Sequence, residues 1–95
     1  MKLRGVRTLE KFKKKHADVS GPLNAWRAEV EAAQWEGPQA VKERFPHASI
    51  LADNRIIFNI KGNHYRLVVQ VRYVNQLVMI EWIGTHAEYD KKTFG

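Results

Sequence analysis

Asn54-Arg55-Ile56-Ile57-Phe58-Asn59-Ile60-Lys61-Gly62-Asn63-His64-Tyr65-Arg66-Leu67-Val68-Val69-Gln70-Val71-Arg72-Tyr73 is the stretch that decides the fold. Its side chains alternate. Ile56, Phe58 and Ile60 fall on one side, with Ile57, Asn59 and Lys61 opposite. Further on, Tyr65, Leu67, Val69, Val71 and Tyr73 share a side, and His64, Arg66, Val68, Gln70 and Arg72 take the other. A period of two among β-branched and aromatic residues predicts strands, here over residues 55–61 and 64–73. Lys61-Gly62-Asn63-His64 between them reads as a hairpin turn, with Gly62 and Asn63 where positive φ is tolerated. Val74-Asn75-Gln76 turns the chain again, and residues 77–83 give a further strand. Residues 49–51 read as a short edge strand.

Upstream the period is helical. Leu9, Phe12 and His16 recur on one side of residues 7–17, while Lys11, Lys13, Lys14 and Lys15 cover the rest. That is an amphipathic helix with a basic face. Ser20 is placed to cap a second helix, and Pro22 suits its first turn. Leu23, Trp26, Val30 and Ala33 continue that helix until Glu36-Gly37-Pro38 stops it. A helical turn over residues 39–44 ends at Pro46. Helices followed by a meander of hairpins make an α+β domain with an antiparallel sheet. One domain over residues 1–95 is the expected organisation.

Composition narrows the function. The chain has no cysteine, so disulfides and thiolate metal sites are excluded. Its apolar runs fall short of the roughly 20 residues that span a bilayer. Met1-Lys2-Leu3-Arg4 leads into polar sequence rather than a hydrophobic signal core, so no membrane and a cytoplasmic place are expected. The net charge is +6. Residues 1–20 carry seven Lys or Arg against two acids, and no Asp or Glu occurs between residues 54 and 80. Within that acid-free window one sheet face would carry Asn59, Lys61, His64, Arg66, Gln70 and Arg72. Two readings fit: an ordinary solvated face of an antiparallel sheet, or a surface for a polyanion.

The same residues suit metal-free cleavage of an RNA strand. The 2′-OH must lose a proton, the departing 5′-oxygen must gain one, and the charged transition state needs fixed cations. Histidine carries protons near neutrality, and the arginine fork matches a phosphate. His64, His86, Tyr89, Lys61, Arg66 and Arg72 offer these groups. Neither a metal nor a cofactor is expected.

Two motifs carry a family resemblance: Phe58-Asn59-Ile60-Lys61-Gly62-Asn63-His64-Tyr65-Arg66-Leu67-Val68 and Gly84-Thr85-His86-Ala87-Glu88-Tyr89-Asp90. With them the chain resembles the HigB toxins of the RelE/ParE superfamily, the toxin halves of bacterial type II toxin–antitoxin pairs. The resemblance covers the whole chain in architecture and about its last forty residues in motif. It implies two N-terminal helices on a curved antiparallel sheet of three to four strands. It also implies a ribosome-dependent mRNA endonuclease. The implied partners are the ribosome, mRNA and a HigA-like antitoxin with a helix-turn-helix domain, with operator DNA reached only through that antitoxin.

Residue by residue, the resemblance gives Arg66 the scissile phosphate and His86 the basic or imidazole position after the last strand. Tyr89 and Asp90 match the C-terminal polar pair, and Lys61 the cationic hairpin position. Tyr89 would stack on a base or move a proton, and Asp90 would orient His86 or cap the helix. Asn59, His64, Arg72, Lys91 and Lys92 are the expected RNA contacts. The strand lysines of RelE correspond here to Ile57 and Asn59, so its division of acid and base does not transfer. Two other functions belong to the comparison: a non-enzymatic ParE-like toxin that binds a protein such as gyrase, and a plain RNA-binding domain.

Overall fold

The computed structural model describes residues 1–92. In chain order the elements are β1 (Lys2–Arg4), α1 (Val6–Lys15), α2 (Ser20–Ala32), α3 (Pro38–Arg44), β2 (Ser49–Ile50), β3 (Arg55–Ile60), β4 (Tyr65–Arg72), β5 (Leu77–Thr85) and α4 (His86–Asp90). The α+β class holds, but the sheet has five strands in the order β1-β5-β4-β3-β2, not three to four. The sheet is also mixed. Leu3 of β1 pairs with Val78 in parallel register, whereas β2 through β5 are antiparallel. Three residues are too few to show an alternation, and a parallel partner more than 70 positions away leaves no local turn signal. Gly5 then bends the chain into α1 at φ +83, where a Cβ would stand 3.0 Å from the Ile80 carbonyl oxygen.

Two helix boundaries also differ from expectation. Ser20 makes no capping bond, because a 3-10 turn over Ala17–Val19 already runs into α2. Helix α2 stops at Ala32, ahead of Glu36-Gly37-Pro38, and Ala33 is extended. That early stop lets Trp35 enter the core, with its ring stacked on Phe58 and edge-on to Phe45.

The helices cover one sheet face. Leu9 of α1 and Leu23, Trp26 and Val30 of α2 join Ile56, Phe58, Ile60, Leu67, Val69, Val71 and Val78 in one core. Phe58 touches the rings of Trp26, Trp35 and Phe45. Its truncation to Ala costs about 3–5 kcal/mol. The opposite face is less open than alternation implies, since Ile57 and Val68 are buried there as well. Among the described residues no helix is long and apolar enough to cross a membrane.

Candidate active site

Strand β4 puts Arg66 on the face away from α1 and α2, flanked by Asn59 of β3 and Gly84 of β5. Residues directly opposite in a ladder share a face, so Trp82, opposite Val68, lies on the same side. Gly84 leaves the space that the Trp82 indole fills. A Cβ at Gly84 would come within 2.4 Å of that ring. From there the indole reaches the Tyr89 ring, 6.1 Å away.

A capping box fixes where β5 becomes α4. The Glu88 N–H donates to Thr85 Oγ1 at 3.1 Å, and the Thr85 N–H donates to the Glu88 carboxylate at 2.8 Å. The bond from the Thr85 backbone holds the Glu88 carboxyl below its usual range, against the opposing effect of desolvation. The Thr85…Glu88 spacing is the sequence signature of this cap, a signal that the strand-and-motif reading leaves unused. The His86 N–H also donates to the His64 carbonyl at 3.1 Å, tying α4 to the β3–β4 hairpin.

With α4 fixed, its three-and-four spacing brings His86, Tyr89 and Asp90 together. Arg66 Nη2 donates to His86 Nε2 at 2.9 Å. His86 Nδ1 faces Asp90 Oδ2 at 3.2 Å. The Arg66 guanidinium lies 4.7 Å from the centre of the Tyr89 ring. Guanidinium has no acceptor atom. In this contact His86 Nε2 must therefore present its lone pair, which leaves the proton of the neutral ring on Nδ1, the nitrogen that faces Asp90. The Arg66 Nε is buried without a hydrogen-bond partner. An imidazole lone pair engaged by a guanidinium, and an aromatic ring against that guanidinium, thus lie together on this face. Together they can take a proton, neutralise a phosphate and stack a base.

The other expected residues lie around this cluster or apart from it. Asn59 is Arg66's cross-strand neighbour. His64 is exposed in the hairpin. Lys92 Nζ sits 5.6 Å from the Trp82 ring centre, and Lys91 is exposed beside it. Arg72 is six positions along β4 from Arg66, roughly 20 Å at about 3.3 Å per residue.

Lys61 does not join the cluster. Its φ is +54, so the alternation breaks there. That places the left-handed turn residue at Lys61 and Gly62, not at Gly62 and Asn63. The side chain turns to Asp18, with Nζ donating to Oδ2 at 2.8 Å. Tyr65 donates its hydroxyl to the same carboxylate at 2.8 Å. The acid-free window is likewise not acid-free in space, because Arg55 pairs with Glu81 at 2.8 Å. Glu81 is the extra residue of a β-bulge between the Val68–Trp82 and Val69–Ile80 pairs.

Residues 19–92 match the HigB toxin family, described as the RelE-like toxic component of a toxin–antitoxin system. The chain is also similar to the mRNA interferase HigB of Escherichia coli O6:H1. The two are 22% identical over 86 residues, which span 88% of this chain and 84% of that protein.

Proposed function

This chain belongs to the HigB family of RelE-like toxins, and we propose that it is an endoribonuclease that cuts mRNA on the ribosome and so arrests translation. Membership implies an antitoxin partner. The relative named as an mRNA interferase supports the reaction. The observation that carries the site is the line Asp90–His86–Arg66, with Tyr89 beneath the guanidinium.

When an RNA strand crosses this surface, the scissile phosphate competes for Arg66. Two bonds from the guanidinium to an anionic phosphate outweigh one to an uncharged imidazole. Arg66 turns to the phosphate, and His86 Nε2 is released. Its lone pair then takes the proton of the 2′-OH, whose oxygen attacks the adjacent phosphorus. The bond to the 5′-oxygen breaks, that oxygen takes a proton from solvent water, a 2′,3′-cyclic phosphate remains, and His86 returns its proton to solvent. Asp90 holds the imidazole and favours the cation that forms. Arg66 stabilises the charge on the non-bridging oxygens. Tyr89 supports Arg66 and offers its ring to a neighbouring base. Lys91 and Lys92 add sequence-independent attraction to RNA. Lys61 acts by holding the hairpin rather than by touching the reacting atoms.

The finer partner assignment is a HigA-like antitoxin with a helix-turn-helix domain, which brings the pair to operator DNA. The place of action is the cytoplasm. The test is induction of the wild type, Arg66→Ala and His86→Ala in cells and in a translating extract. Arrest with cut mRNA, lost in both variants, is expected. Arrest with intact mRNA and damaged DNA would overturn the assignment in favour of a gyrase-binding toxin.

A further inference from the structure

A second feature lies at the edge of the sheet beside α4. Strand β1 pairs only with Leu77, Val78 and Met79 of β5, so β5 is an edge strand from Ile80 onward. Along that edge α1 and α4 enclose a groove of about 730 Å³, lined by Phe12, Lys15, His16, Trp82, Lys91 and Lys92. We infer that this groove is a second RNA subsite, which takes a nucleotide beyond those at Arg66 and Tyr89. The base stacks on Trp82, whatever its identity, and the phosphate lies between Lys15 and Lys92. This inference rests on the cleavage reading for calling the strand a substrate, but not for its binding.

The lining has the two parts that a single strand requires. A cationic groove follows the backbone, and aromatic rings take the bases. Lysines stand on both walls, Lys15 at the end of α1, and Lys91 and Lys92 just after α4. Among the described residues none of these three pairs with a carboxylate. Glu88 is the acid of the lining, and its carboxylate accepts from the Thr85 N–H at 2.8 Å. The groove therefore carries uncompensated positive charge.

Trp82 joins this groove to the reacting centre. Its indole lies over Gly84 on the face of Arg66 and meets the Tyr89 ring at 6.1 Å. Lys92 Nζ sits 5.6 Å from the indole centre. A cation over an exposed ring is held weakly, and a stacked base is held more strongly. A base thus displaces Lys92 from the indole, and the freed ammonium meets the phosphate of that nucleotide. Every base has a π face, so the subsite holds the strand without choosing its sequence. An acidic protein segment would use the lysines alone, whereas the indole and its continuity with Tyr89 match a strand of bases.

Two measurements test this. The first follows tryptophan emission while all-2′-deoxy oligo-dA and oligo-dT, which lack the attacking hydroxyl, are titrated to saturation. Trp26 and Trp35 are each only 4% exposed, so quenching reports Trp82, and it should occur with both. An oligo-glutamate peptide should quench far less. The second measures Kd from the anisotropy of labelled oligo-dT over a range of salt. Trp82→Leu should weaken binding about tenfold, and Trp82→Phe should recover most of the loss. Lys15→Ala leaves the Trp82–Tyr89 contact in place and should lower the salt slope by about 0.7. Saturation without quenching, an unchanged Kd in Trp82→Leu or an unchanged slope in Lys15→Ala overturns the subsite while cleavage stands. Quenching by oligo-glutamate equal to that by the oligonucleotides also overturns it, and makes the groove a seat for an acidic protein. Quenching in a protein that cuts no mRNA sinks the cleavage reading and leaves the subsite.

Discussion

Arg66 Nη2 stands 2.9 Å from His86 Nε2, and this contact decides how the imidazole is protonated. A second proton, on Nε2, would face a donor that cannot accept it. The contact and a proton on Nε2 are mutually exclusive, so in the proposed mechanism Arg66 masks the base until a phosphate draws it away, and substrate binding and unmasking are the same event.

The proposed mechanism makes Asp90 a positioning residue. In that mechanism it touches no reacting atom, and its Oδ2 lies 3.2 Å from His86 Nδ1. Asp90→Asn can turn its amide N–H toward Nδ1 and favour the opposite tautomer. Cleavage should fall about tenfold, less than the 10²–10⁴ expected for loss of the general base in His86→Ala. The 15N shifts of the His86 ring should show the Nδ1-protonated form in the wild type and the Nε2-protonated form in Asp90→Asn. Identical ring shifts in the two proteins would remove Asp90 from the site.

Arg66 sets function against stability. Its Nε is buried with no partner, so the fold carries an unsatisfied donor there. Arg66→Ala should lower cleavage about 10²–10³-fold and leave the melting temperature unchanged or slightly higher. Arg66→Lys should restore little activity, because an ammonium has neither the fork nor the flat face that meets Tyr89. Full activity in Arg66→Lys would show that only the charge matters.

What the sequence reveals follows the range of each signal. Strands β3 and β4 are legible because their alternation is continuous, and the same alternation puts Arg66 and Asn59 on one face. Strand β1 is hidden because a three-residue parallel strand has no period to show. Lys61 is misplaced because alternation assumes extended φ, and its own is +54. The acid-free window points to a cationic surface, yet Asp18 comes from another element to neutralise Lys61. The cluster of His86, Tyr89 and Asp90 is legible as a motif. Its aim at Arg66 depends on the Thr85 cap and on the absent side chain of Gly84.

Gly84 has a role that φ does not explain. Substitution by Ala places a Cβ where the Trp82 ring lies, and the ring must move. The displaced part is the far end of a partly exposed side chain, so the stability loss should stay near 1 kcal/mol. The Trp82–Tyr89 contact is then lost, and Tyr89 no longer supports Arg66 in place. Cleavage by Gly84→Ala should fall about tenfold to a hundredfold, since displacements near 1 Å can cost up to about 10²-fold. Tryptophan emission should change as well, because Trp26 and Trp35 are buried elsewhere. Normal cleavage together with altered emission would detach Trp82 from the site.

Asp18 makes the hairpin anchor sensitive to acid. The hydrogen bond from Lys61 first, and that from Tyr65 second, hold its carboxyl below the usual range despite some desolvation. A carboxyl whose folded value lies below its unfolded value contributes stability in full above the unfolded value, about pH 4. That contribution fades as pH falls through the lower folded value. Asp18→Asn removes the charge at every pH. Its melting temperature should therefore lie furthest below that of the wild type near neutrality, and the gap should close as pH approaches ~3. The same substitution frees Lys61 and the hairpin whose His64 carbonyl receives the His86 N–H, so cleavage at pH 7 should drop with it. A melting gap that is constant down to pH ~2.5, or that widens in acid, would mean that the carboxylate does not anchor the hairpin.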